Sequence, residues 1–136
     1  VPYNETSKLL RAMDALTSGI VVVTDGSSGV MVSDHRNLYK AGTFHEQKVI
    51  DRTGAGDAFG SGFVASLLMS KKIKIAKSAL DVIGEDDIKE AIRLGSANAT
   101  SVVEHIGAHP GILTRQQFSR SPRWRKLHVE VMRLSD

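Results

Sequence analysis

Ten residues concentrate the chemistry of this chain: Asp51-Arg52-Thr53-Gly54-Ala55-Gly56-Asp57-Ala58-Phe59-Gly60. They read as a turn of small residues opening into a helix, with one acid before the turn and another at its end. Gly54 and Gly56 lack a Cβ, so the backbone can take positive φ and approach a ligand closely. Amide N–H groups at a helix start have no partner within the helix, and the helix dipole adds partial positive charge there. Such a site suits an anion, most often phosphate. A carboxylate at the same place, poorly solvated and close to the ligand, has the position a catalytic base needs. The bland alternative for a lone Asp57 is a helix-start acid worth a few tenths to about 1 kcal/mol.

The rest of the chain must hold that turn. Leu9, Met13 and Leu16 at helical spacing predict a short amphipathic helix over residues 8–16, stopped by Ser18-Gly19. Ile20-Val21-Val22-Val23-Thr24 is a β-branched run that reads as a strand buried on both faces, central in a parallel or mixed sheet. Asp25 to Gly29 is a tight turn, and residues 29–33 and 38–44 return as strands at hairpin spacing. Residues 47–50 lead into the opening turn as a short strand. Ala58, Phe59, Phe63, Leu67 and Leu68 or Met69 mark the apolar face of the next helix. Gly56, Gly60 and Gly62 weaken it unless its small faces pack closely. Residues 71–77 form a basic surface stretch. Asp86 or Asp87 is the expected N-cap of a further helix whose stripe is Ile88, Ala91, Ile92, Gly95, Ala99, Val102 and Val103, ending near Gly107. Thr114 to Phe118 reads as a capped turn, and Trp124 to Leu134 as a last basic helix anchored by Trp124. This order predicts an α/β fold with a sheet covered by helices. Ligands then sit beyond the carboxyl ends of strands, where both glycine turns, 25–29 and 54–56, would lie.

Composition narrows the function classes. The 136 residues are 41% hydrophobic and 24% charged, ordinary for a globular domain. No apolar run could span a bilayer, and the polar first ten residues are unlike a signal peptide. With no cysteine there is neither disulfide nor thiolate metal site, which fits a cytoplasmic protein. His35, His45, His105, His109 and His128 show no metal spacing. The net charge of +3 resides in the tail. From residue 115 onward six Lys/Arg face Glu130 and Asp136, whereas the first 114 residues carry twelve Lys/Arg against thirteen acids. With almost no aromatic platforms for bases, that tail reads as a solvated helix rather than a nucleic-acid surface.

At Asp51 to Phe59, followed by Gly62-Phe63, the sequence closely resembles the carboxy-terminal signature of the ribokinase-like (PfkB-type) carbohydrate kinases. Val23 to Val30 is similar to that family's nucleotide loop. Ala91 to Ala99, continuing through Gly107-Ala108, is similar to its late helix and the loop that closes around adenine. The resemblance covers residues 20 to about 118 in family order. It implies a ribokinase-like αβα sandwich of Rossmann-like type, present here as the carboxy-terminal part only. Residues 1–118 would be the nucleotide-binding and catalytic part, and residues 119–136 a basic, helical tail. It further implies ATP-dependent phosphorylation of a hydroxymethyl group on a sugar or related small molecule. Asp57 would be the general base, and Gly54, Ala55 and Gly56 the anion hole. Thr24, Gly26, Ser27 and Gly29 would flank the nucleotide phosphates and ribose. Ser96 falls at the adenine position, with Asn98 two residues on. Mg2+ would accompany ATP. A K+ site would draw on Asp51 and Thr53, with backbone oxygens near Val102, His105, Gly107 and Gly111. There is no G-x-x-x-x-G-K-[ST] P-loop.

The family's sugar-binding residues, its small β lid and an Asn-x-x-Glu stretch belong to an amino-terminal half that these residues do not contain. The expected partners are therefore a small-molecule sugar, the missing half or a second chain, and room remains for a homo-oligomer. Two readings stand: a carbohydrate kinase, with a nucleoside as alternative substrate, or a half-domain that binds nucleotide or phosphate without turnover.

Overall fold

The computed structural model describes residues 3–46, 49–50, 52–70, 83–105 and 111–134. They divide into two compact units, one formed by Val1–Thr43 with His128–Asp136 and the other by Phe44–Leu127.

In the first unit, helix α1 (Tyr3–Asp14) is followed by strands β1 (Val21–Thr24), β2 (Val30–Ser33) and β3 (Asn37–Ala41) and, from the end of the chain, β4 (Val129–Arg133). The sheet order is β1-β2-β3-β4, antiparallel throughout, with Val21 opposite Ser33, Val30 opposite Ala41 and Asn37 opposite Arg133. Among the described residues the expected central strand pairs on one side only, antiparallel with β2. Only Val21 of β1 is buried; Val22 and Val23 are half-buried and Thr24 is exposed. A β-branched run signals a strand but not the direction of its neighbour. The short connections 25–29 and 34–36 decide that, because a parallel pair needs a crossover of a dozen or more residues. Leu10, Val21, Met31 and Leu38 form the core, with Val23 and Leu134 packed against it.

A polar knot closes the β2–β3 turn. Asp34 is 3% exposed. Its Oδ1 accepts from the Arg36 and Asn37 amides at 2.9 and 2.7 Å, and its Oδ2 from the Tyr39 hydroxyl at 2.9 Å. The helix expected over Trp124 to Leu134 does not form. Pro122–Arg125 is a 3-10 turn and Val129–Arg133 joins the sheet. The alternation Val129, Val131 against Glu130, Met132 matches the period of a strand, and β3 offers an edge to pair with.

The second unit is built on two packed helices, α2 (Ala55–Met69) and α3 (Glu85–Val103), followed by the short α4 (Arg115–Arg120). Small residues bring α2 and α3 together. A Cβ on Gly62 would lie 2.8 Å from Asn98 Nδ2 and 3.0 Å from Gly95 Cα, and one on Gly95 would lie 2.9 Å from the Phe59 carbonyl. Phe59 and Phe63 stack at 6.0 Å within α2. The predicted stripe of α3 is buried apart from Ala99, which is half-buried. Its N-cap is Gly84 rather than Asp86 or Asp87; Asp87 sits one turn in and its Oδ2 accepts the Gly84 amide at 2.9 Å. Helix α3 stops at Val103, and Gly107 lies outside the described residues. The predicted capped turn is present as α4, where Thr114 Oγ1 accepts from the Gln117 amide at 3.2 Å and Gln117 Oε1 accepts from the Thr114 amide at 2.8 Å. Trp124 is buried edge-on against Phe44. Val49 and Ile50 are exposed and form no strand, so among the described residues the 54–56 turn follows no strand. The basic stretch 71–77 lies outside the described residues.

Candidate active site at the start of helix α2

Gly54 caps α2 with φ 84° and ψ 2°, a left-handed conformation that disfavours any side chain bearing a Cβ. The chain turns there and starts the helix at Ala55, so the first amides of α2 have no partner within the helix. The Ala55 amide makes a long 3.4 Å contact with the Arg52 carbonyl. A Cβ added at Gly56 would meet nothing within 4 Å, so the backbone there is open to a ligand. Gly54, Ala55, Gly56 and Asp57 thus occupy one turn, as the spacing predicts.

Asp57 stands in the first turn of α2, where the helix dipole favours its charge. Its side chain is exposed, not poorly solvated as expected, and the described residues offer it no hydrogen-bond or ion-pair partner. The difference is physical. Sequence spacing places a carboxylate at a helix start, but burial depends on what lies over that start, and the described residues leave it open. Of the two cation candidates, Thr53 is exposed just before the cap, while Asp51 lies outside the described residues. Arg52 is tied to Glu46 through both carboxylate oxygens at 3.3 Å.

Ser96 and Asn98 lie in α3 and are 6% and 5% exposed. Asn98 is committed to the fold: its Oδ1 accepts the Leu113 amide at 3.0 Å, and its amide group packs over Gly62. Gly111 returns the chain onto α3, where a Cβ would lie 2.5 Å from Val102 Cα. Gly107 belongs to residues 106–110, outside those described, whereas His105 is exposed with Nδ1 2.6 Å from the Ser101 carbonyl.

The remaining candidates, Thr24, Gly26, Ser27 and Gly29, belong to the other unit. They form the β1–β2 connection, a 3-10 turn over Gly26–Ser28 held by the Asp25 amide to the Gly29 carbonyl and the Ser28 amide to the Asp25 carbonyl, both 2.8 Å. Thr24, Gly26 and Ser27 are exposed, and a Cβ at Gly26 would meet nothing within 4 Å. Gly29 is different. It is buried, and a Cβ there would lie 2.0 Å from the Ala41 carbonyl, so the hairpin alone demands a glycine.

One arrangement escaped the sequence reading. Glu104, at the end of α3, is 5% exposed and forms a two-pronged ion pair with Arg123 of the tail. Neither residue belongs to a recognisable motif, and their separation in sequence leaves no local signal. Among the described residues, no three His, Cys, Asp or Glu side chains converge to hold a metal ion, and no helix is long and apolar enough to cross a membrane.

The comparisons with known proteins agree with one another. The sequence pattern described as pfkB family carbohydrate kinase matches residues 3–115. The chain is 37% identical to a ribokinase of Haemophilus influenzae over 71% of its length and 26% of the relative's. It is 36% identical to an ATP-dependent 6-phosphofructokinase of Thermoanaerobacterium thermosaccharolyticum over 79% and 27%. To an adenosine kinase of Schizosaccharomyces pombe it is 32% identical over 52% and 21%. Among solved structures it resembles a ribokinase from Giardia lamblia, with TM-score 0.69 and 24% identity over 88% of this chain and 36% of that one. It also resembles a fructokinase from Vibrio cholerae O395 in a fructose-, ADP- and potassium-bound form, with TM-score 0.61 and 24% identity over 80% and 32%. These structural likenesses carry the ribokinase fold. The chain spans about a quarter of the length of the relatives it matches. With the helix-start motif in its place and the match running over most of the chain, these residues belong to the pfkB family of carbohydrate kinases.

Proposed function

We propose that the chain is the carboxy-terminal part of an ATP-dependent phosphotransferase acting on a hydroxymethyl group of a sugar or sugar-like small molecule. The observation that carries this reading is the first turn of α2: a left-handed Gly54, an open backbone at Gly56 and an exposed Asp57 on one helix start. Phosphoryl transfer asks a protein mainly for positioning and electrostatic stabilisation. The Asp57 carboxylate would accept the proton of the attacking hydroxyl. The amides of Gly54, Ala55 and Gly56 would face the negative charge that builds on the transferred group, preorganised because the helix holds them. ATP, with Mg2+, supplies the phosphoryl group when bound. Thr24, Gly26 and Ser27 fit a role toward the nucleotide, all three being exposed and Gly26 facing open space. Gly29 and Asn98 would act indirectly, by shaping the turn and by holding residue 113 on α3. Of the two side chains expected at a K+ site, Thr53 is the one among the described residues.

The relatives' names divide between sugars, a sugar phosphate and a nucleoside. The reading therefore takes a hydroxymethyl sugar as substrate class, with a nucleoside as the second reading. Residues that choose among them would lie in the portion of the relatives that this chain does not span. That portion, in the same polypeptide or a second chain, would also cover the exposed apolar side chains of α2, Val64 and Leu68, which are 53% and 60% exposed. A cytoplasmic location accords with sugar phosphorylation and is part of the same proposal.

Asp57→Asn in the complete kinase tests the reading. It should lower kcat by about 10²–10⁴-fold, the range for loss of a general base, while leaving ATP affinity within twofold. Wild-type turnover in that variant would remove Asp57 from the base role. Titration of the 136-residue chain with Mg-ATP separates an isolated nucleotide-binding half-domain from one that needs its other part.

A further inference from the structure

Arg123 sits in the 3-10 turn Pro122–Arg125, in a stretch whose sequence reads only as a solvated basic tail. Its guanidinium instead serves three acceptors. Nη1 donates to Glu104 Oε1 at 2.8 Å, and Nη2 donates to Glu104 Oε2 at 2.9 Å and to the His45 carbonyl at 2.9 Å. The group is largely enclosed: the Glu104 side chain is 6% exposed and that of Arg123 is 24% exposed. The guanidinium carbon also lies 4.4 Å from the centroid of the Trp124 ring, which meets Phe44 edge-on at 5.1 Å.

The two partners belong to different parts of the same unit. Glu104 ends α3. Phe44 and His45 begin the segment that runs to Thr53–Asp57. A second pin joins these parts, the Ile50 amide donating to the Val103 carbonyl at 2.8 Å. The end of α3 and the segment feeding the helix start are therefore held together twice, once by the guanidinium and once by the backbone. A planar guanidinium presents several donors in a fixed fork, which an ammonium cannot reproduce.

We infer that Arg123 is a positioning residue for the helix-start motif: it clamps the segment entering α2 to the end of α3 and so fixes the first turn that carries Gly54–Asp57. The clamp is a property of the fold; its effect on turnover rests on the kinase reading above. Catalytic groups work only within a narrow tolerance, and a displacement of about 1 Å can cost about 10²-fold.

The test uses Arg123→Lys and the double variant Arg123→Met with Glu104→Gln, which removes both charges of the pair rather than leaving one of them buried without the other. Hydrogen exchange on the 136-residue chain is the first measurement. In the double variant the Ile50 amide, which donates to the Val103 carbonyl, and the Ala58 amide, which donates to the Gly54 carbonyl, should exchange at least about 10-fold faster while those of residues 91–98 stay unchanged, the signature of local rather than global opening. Arg123→Lys should fall between wild type and the double variant. Unchanged exchange at Ile50 and Ala58, or an equal rise over 91–98, overturns the clamp. In the complete kinase the double variant should lose about 10-fold in kcat, within the range for misplaced catalytic groups, with KM for ATP within twofold. Full kcat there overturns the positioning role. If the wild-type kinase phosphorylates no sugar or nucleoside, the kinase reading falls, and the exchange measurement still decides the clamp.

Discussion

Adding a methyl group to each of three glycines of α2 should produce three different outcomes. The helix is weakened by Gly56, Gly60 and Gly62, since glycine in a helix interior costs about 0.8–1 kcal/mol relative to alanine. At Gly60 the new Cβ meets nothing within 4 Å. Gly60→Ala should therefore stabilise the chain by nearly that full amount, raising Tm by about 4 °C for a domain of this size. At Gly62 the Cβ would meet Asn98 Nδ2 at 2.8 Å, Gly95 Cα at 3.0 Å and the Leu94 carbonyl at 3.1 Å. Two of these are backbone atoms and cannot rotate away. Overpacking costs about 1–3 kcal/mol, more than the helix gains. Displacing Asn98 also strains its bond to Leu113. Gly62→Ala should be destabilised by a net amount of up to ~2 kcal/mol. At Gly56 the space is empty again, so Gly56→Ala should fold at least as well as wild type. Turnover in the complete kinase should fall by about 10²-fold, comparable to loss of one anion-hole donor, because the methyl group occupies the approach to the backbone. Urea denaturation of the chain reads the three stabilities, and a phosphoryl-transfer assay reads Gly56→Ala. Equal stability of Gly62→Ala and Gly60→Ala would refute the close packing of α2 on α3. Undiminished turnover in Gly56→Ala would refute the close approach of ligand to that backbone.

Two further outcomes concern the other unit. Tyr39→Phe removes the hydroxyl that donates to the buried Asp34 carboxylate and should cost about 1.5–3 kcal/mol, the value of a hydrogen bond to a charged group; an unchanged urea midpoint would contradict the polar knot. Gly29→Ala combines φ 98° with a Cβ 2.0 Å from the Ala41 carbonyl and should unfold the hairpin, whereas Gly26→Ala, at φ 48° in open space, should cost only about 1–2 kcal/mol. Near-equal melting of those two variants would show that Gly29 is not held by the sheet.

The sequence was most legible where the signal was local. The glycine turn opening α2, the buried stripe of α3 and the reciprocal Thr114–Gln117 cap all form where residue type and spacing place them. Each depends on contacts within a few residues. Strand pairing, by contrast, is decided between segments of the chain. Strand β1 has the composition of a central strand, yet among the described residues it pairs only with β2 and antiparallel, because pairing is decided by loop length and by which other strands are present. In the tail from Trp124 the basic residues mask a two-residue alternation, and pairing with β3 makes Val129–Arg133 a strand rather than a helix.

The amino-acid sequence by itself determined the family, the turn that begins α2 and the identity of the acid in its first turn, since these depend on residue types at fixed short spacings. Tertiary structure alone decided which glycines are obligatory. Gly29 and Gly62 are needed because distant backbone or side-chain atoms come within 3 Å of them, while Gly26, Gly56 and Gly60 face open space. It alone decided that Asp57 stands exposed and that Arg123 binds Glu104 and the His45 carbonyl, since burial and ion pairing arise between segments far apart in the chain.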